Sequence, residues 1–147
     1  VPFIKKVVYF ATPHHGSNWS EMPLGRLGRW LIDVPQQLQD EYVGLIQGNP
    51  GLIRNPARQP ATSIDHLSPR NGIMQATSQL RGADLVSAHS IIGIGFLSPD
   101  AHWGDGVVAI PSARIPCVQT EFFVPATHSG ILRNRAAAAE LMCILMR

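Results

Sequence analysis

His89-Ser90-Ile91-Ile92-Gly93-Ile94-Gly95-Phe96 is the stretch on which the fold turns. It is too short for a core helix, rich in β-branched residues, and lacks the apolar–polar alternation of a half-exposed strand. Such a run reads as a strand buried on both faces, as in a parallel sheet. Its glycines predict close approach by a neighbouring element.

Two similar runs flank it. Upstream, Val7-Val8-Tyr9-Phe10 is closed by Ala11-Thr12-Pro13 and the turn-rich His14-His15-Gly16-Ser17. Downstream, Val118 to Val124 ends at Pro125-Ala126-Thr127-His128. Between the first two strands, Leu24, Leu27, Leu31, Leu38, Tyr42, Leu45 and Ile46 recur at mostly helical spacing, with Pro35 separating two helices. A short helix is expected over Ile73 to Leu80, capped by Asp65 or Ser68. The Ala/Leu-rich run Ile131 to Met146 predicts a final helix. Strands alternating with helices make this an α/β chain with about three parallel strands and flanking helices. Three strands are few for a sheet that must cover both faces and both edges, so a larger sheet is expected. The chain opens at Val1 directly before a strand, which leads us to expect a preceding segment.

Composition narrows the function. Of 147 residues, 45% are hydrophobic and 15% charged, the balance of an ordinary globular chain. The net charge is +2 and the arginines (Arg26/Arg29, Arg54/Arg58, Arg133/Arg135) are scattered without aromatic interleaving. They read as solvated faces, so nucleic acid is not the expected partner. No apolar run reaches a spanning length, and Glu140 interrupts the longest. Cys117 and Cys143 lie among apolar neighbours and are expected to be free, buried thiols. His14 and His15 invite a metal reading, but no HxH or HExxH spacing supports it, and no metal or cofactor is expected.

Two residues fall where chemistry gathers in parallel sheets, beyond the carboxyl ends of strands. Asp105 lies in Gly104-Asp105-Gly106-Val107-Val108, after the second strand; His128 lies in Ala126-Thr127-His128-Ser129-Gly130, after the third. An imidazole can take a proton from a hydroxyl and return it to a leaving group, and a buried carboxylate on its other nitrogen fixes the tautomer. Each has a plainer reading alone, the aspartate as a turn former and the histidine as a loop residue. Order and placement favour the pair.

The segments VVYFATPHHGS (Val7 to Ser17), PATSIDHLSP (Pro60 to Pro69), His89 to Gly93, Gly104-Asp105-Gly106-Val107-Val108 with Ser112-Ala113, and His128 together resemble the C-terminal half of bacterial α/β-hydrolases of the lipase and esterase type. These are similar to triacylglycerol lipases and the GPI inositol-deacylase-like group. The resemblance runs over nearly the whole chain, 1–147. It implies a partial α/β-hydrolase domain with a helical, lid-like insert at about 23–53, and Asp105 and His128 as the acid and base of a Ser-His-Asp triad. It implies an acyl-ester or lipid substrate and no cofactor. His14 and His15 then border the active site; Trp19 and Trp103 are further candidates to contact substrate. The serine should sit on a G-x-S-x-G elbow, and the chain contains none; Ser17, in His15-Gly16-Ser17-Asn18, is better placed to cap a turn. The nucleophile is therefore expected in a missing N-terminal half. An inactive half-domain that needs that half or an oligomeric partner, and an acyltransferase with the same triad, are the alternatives.

Overall fold

The structure, a computed structural model, describes residues 3–22, 35–51, 62–80, 85–98 and 101–147. Strand β1 (Lys6–Phe10) is followed by a 3-10 turn at Asn18–Glu21 and helices α1 (Gln36–Gly48), α2 (Ser63–His66) and α3 (Gly72–Ser78). Then come β2 (Ser87–Ile94), the short β3 (Phe96–Leu97) and β4 (Trp103–Gly104), helix α4 (Ile110–Ala113), β5 (Thr120–Pro125), a 3-10 turn at Ile131–Arg133 and α5 (Arg135–Met146).

The main sheet has the order β1-β2-β5, with both pairings parallel. The register sets Phe10 against Ile91, and Gly93 against Val124. Among the described residues the chain is thus mixed α/β with a three-stranded parallel sheet, as expected. Ile91 and Ile92 are adjacent and point to opposite faces, yet are only 0% and 2% exposed. Both faces must therefore be covered. On one, Ile91, Val124, Ala11 and Ala126 pack with Ile131 and Ala137, against partly buried Phe10, Phe122 and Leu141. On the other, Ile92 packs with Val108 and Ala113.

Helix α5 covers the first face through Ala137, Leu141 and Ile144, spaced as one stripe. The Asn134 side chain accepts hydrogen bonds from the N–H groups of Ala136 (2.9 Å) and Ala137 (3.3 Å), which starts the helix there. The expected helix from Ile131 is therefore interrupted: its first turn is 3-10 and the α-helix begins after the Asn134 cap. At the other end, Lys6 Nζ donates to the carbonyl of Ile144 at 2.7 Å, tying β1 to a carbonyl the helix leaves open.

Between Ser98 and Asp105 lies β4, which pairs antiparallel with β3 in a second small sheet. Two further local expectations are corrected. The helix expected from Ile73 is capped by Asn71, whose side chain accepts from Ile73 and Met74. Asp65 instead closes a capping box with Thr62, and Ser68 donates to Glu21. Cys117 and Cys143 are free but exposed: Cys117 occupies a turn at φ 68°, and Cys143 lies on the outer side of α5, away from Ile144.

Pro35 does stand at a helix boundary, as the N-cap of α1. The first helix of the expected insert, with Leu24, Leu27, Trp30 and Leu31, lies outside the described residues, as do Arg54, Arg58 and Pro60. No helix among the described residues is long and apolar enough to cross a membrane.

Candidate functional site

The carboxyl ends of β2 and β5 form one rim, and the loops leaving them meet there. Asp105 follows β4 and is 2% exposed. Its backbone lies beside the loop after β5, since the His128 N–H donates to the Asp105 carbonyl at 3.0 Å. The side chains then join directly, with His128 Nδ1 2.8 Å from Asp105 Oδ2. The other carboxylate oxygen accepts from the N–H groups of Val107 (2.9 Å) and Val108 (2.7 Å). A buried carboxylate without donors costs several kcal/mol, roughly; this one has three.

Close approach requires Gly93. A Cβ there would lie 2.7 Å from the Asp105 Cβ and 2.9 Å from the Ala126 carbonyl oxygen. Any side chain would drive apart the loops that carry the acid and the histidine. The predicted approach at the glycines is thus found at Gly93, whereas Gly95 meets nothing within 4 Å.

The His128 side chain remains 41% exposed. With Nδ1 on the carboxylate, Nε2 is left for an incoming group. The His128 pKa is raised above 6.5, chiefly by the hydrogen bond to Asp105 and secondarily by its charge; partial burial opposes both. The arrangement can hold one imidazole tautomer and stabilise the ring once it gains a proton.

The loop after β1 forms the neighbouring wall. Gly16 adopts φ +84° with the backbone of Leu67 and Pro69 pressed on it, so only glycine fits. His15 is exposed beside a cavity of about 300 Å³ that Ser17, His102, Val107 and Ser112 also line. His14 packs edge-on against Tyr9, with ring centroids 4.6 Å apart. Burial, followed by the nearby His15, holds its pKa below 6.5. Trp19 turns its indole N–H to the Gly106 carbonyl at 3.3 Å. Trp103 is 62% exposed on β4 and offers its ring to solvent. Of the residues singled out in the sequence, the structure therefore joins Asp105 to His128 directly, sets Trp19 against the acid loop and His15 on the adjoining cavity, and leaves His14 against Tyr9.

Ser17 is 6% exposed. Its hydroxyl donates to the Val107 carbonyl at 2.6 Å and accepts from the Trp19 N–H at 3.2 Å, capping the 3-10 turn. Its tie to Val107 was not legible in the sequence, because 90 residues separate the two. Ser112 likewise donates to the Gly16 carbonyl.

A second, wider opening near Arg114, Cys117 and Glu121 lies at the amino end of β5, the opposite rim from the acid and histidine. Among the described residues, no three His, Cys, Asp or Glu side chains are grouped to hold a metal ion. No protein-family model matches the chain, and no curated protein matches it.

Proposed function

We propose that this chain is the acid-and-histidine portion of a serine-dependent α/β-hydrolase that cleaves carboxylic esters, with acyl esters or lipids as the substrate class. The observation that carries the reading is the 2.8 Å contact from His128 Nδ1 to Asp105 Oδ2, with the acid buried and the imidazole open to solvent. In the reaction, a serine outside these residues attacks the ester carbonyl. His128 takes its proton through Nε2 and returns it to the leaving alcohol, while Asp105 holds the ring and stabilises the imidazolium. Ser17 is a poor nucleophile because it is buried and its proton is committed to a carbonyl.

The open side of β1 supports continuation of the sheet. Among the described residues β1 pairs with β2 alone, and Val7, Val8, Tyr9 and Phe10 are half-buried along it. A further parallel strand there, bearing the G-x-S-x-G elbow, would bring the serine to the same rim.

The test is ester hydrolysis by the protein assembled with its serine-bearing segment. Asp105→Asn and His128→Ala should each lower kcat on the order of 10³- to 10⁴-fold while remaining folded. Because His128 must be neutral to act as a base, the acid limb of kcat/KM should lie above pH 6.5 and move down in the residual activity of Asp105→Asn. A fluorophosphonate probe should leave the isolated chain unlabelled. Wild-type turnover from both variants, or stoichiometric labelling of this chain, would end the reading.

A further inference from the structure

The geometry points to Ser17 and Trp19 as positioning residues that clamp the two peptide groups holding the Asp105 carboxylate in place for His128. The inference rests on the reading of Asp105 and His128 as a catalytic pair, and adds to it a cause for the orientation of the acid.

A trans peptide is a rigid plane with its C=O and N–H on opposite sides, so fixing one end fixes the other. The peptide between Gly106 and Val107 presents its N–H to Asp105 Oδ1 at 2.9 Å and its C=O to the Trp19 indole at 3.3 Å. The next peptide, between Val107 and Val108, presents its N–H to the same oxygen at 2.7 Å and its C=O to the Ser17 hydroxyl at 2.6 Å. Each peptide that grips the carboxylate is therefore held from behind by one side chain of the loop after β1. A hydrogen bond to a carbonyl also polarises the N–H of that peptide and strengthens the bond it donates. The two clamps are themselves joined, since the Trp19 N–H donates to the Ser17 hydroxyl oxygen.

The loop that carries them is fixed independently of the acid. The Ser17 N–H donates to the Leu67 carbonyl at 2.8 Å, and Ser112 donates to the Gly16 carbonyl. Ser17 and Trp19 thus relay the position of β1 and of the Leu67 turn to Asp105 without contacting the imidazole. Asp105 is the charged group that acts on His128, so loosening its carboxylate should register in the ring's titration.

Trp19→Phe keeps an aromatic ring and deletes the N–H; Ser17→Ala deletes the hydroxyl. The His128 titration is followed by ring-carbon NMR on the folded chain, and kcat and KM on the assembled protein. Each variant should lower the His128 titration midpoint toward 6.5 and reduce kcat about three- to tenfold, the range of one lost hydrogen bond, with KM unchanged. A His128 titration in Trp19→Phe identical to wild type, with the fold intact, overturns the clamp. Should Ser17→Ala fail to fold, Trp19→Phe decides alone. The titration needs no turnover, so it separates failure of the clamp from failure of the catalytic reading, which the Asp105→Asn activity reports.

Discussion

Helices α1 and α5 are nearly the same length, 13 and 12 residues, and share almost no fate. Helix α5 buries Ala137 and Ile144 against the sheet and starts on a side-chain cap. Helix α1 buries none of its residues, starts on a proline without a side-chain cap bond, and leaves Leu38, Val43 and Leu45 exposed. Both contain leucines at helical spacing. The difference lies in what stands opposite: α5 meets a sheet face already lined with Ile91 and Val124, whereas α1 belongs to the insert between β1 and β2. Helical periodicity names a face, and tertiary structure decides whether that face is filled.

The largest effect is expected at the centre of the sheet face that α5 covers. Ile91→Ala removes the 0%-exposed side chain that α5 covers, and should cost about 2–5 kcal/mol in denaturant unfolding. A loss under about 1 kcal/mol would mean that this face is not the core it is taken to be. Gly93→Ala inserts a methyl group between the acid loop and the histidine loop. It should destabilise by about 1–3 kcal/mol, and, under the proposed function, lower turnover roughly a hundredfold by displacing Asp105. Unchanged turnover would show that the contact is slack.

Smaller effects are expected from a matched pair of changes, one on each helix. Asn134→Ala at the start of α5 should cost about 0.5–2 kcal/mol by freeing the N–H groups of Ala136 and Ala137. Leu45→Ser on α1, at a position 59% exposed, should stay within about 0.5 kcal/mol. Thermal melts of the two variants check the ordering. A larger loss from Leu45→Ser would show that α1 is packed against something.

The site was legible in the sequence to the extent that its chemistry is local. Aspartate after the second long strand and histidine after the third stood out because rims of parallel sheets collect such groups. Glycine at 93 announced a close neighbour. What could not be read was the neighbour itself: Asp105 reaches Gly93 only because β4 folds back on β3, and a two-residue pairing leaves too short an alternation to recognise. Asn134 carried a readable signal, a capping residue before an alanine run, but the apolar Ile131 and Leu132 blurred the boundary. The exposure of Cys117 and Cys143 contradicted their apolar neighbours because one sits in a left-handed turn and the other on the outward side of a helix.

By itself, the order of residues determined three strands, the helices between them and the two titratable groups that follow the second and third, since these follow from short-range periodicity and backbone preference; of the strands, β2 alone carries a run of buried residues, whereas β1 is half-buried throughout. Only the tertiary structure decided that Asp105 and His128 touch, that Ser17 and Trp19 hydrogen-bond to the loop after Asp105 from 87 or more residues away, and that α5 buries a face while α1 buries none of its residues. Hydrogen bonds and packing between distant segments depend on where crossovers bring the chain, and no local pattern encodes that distance.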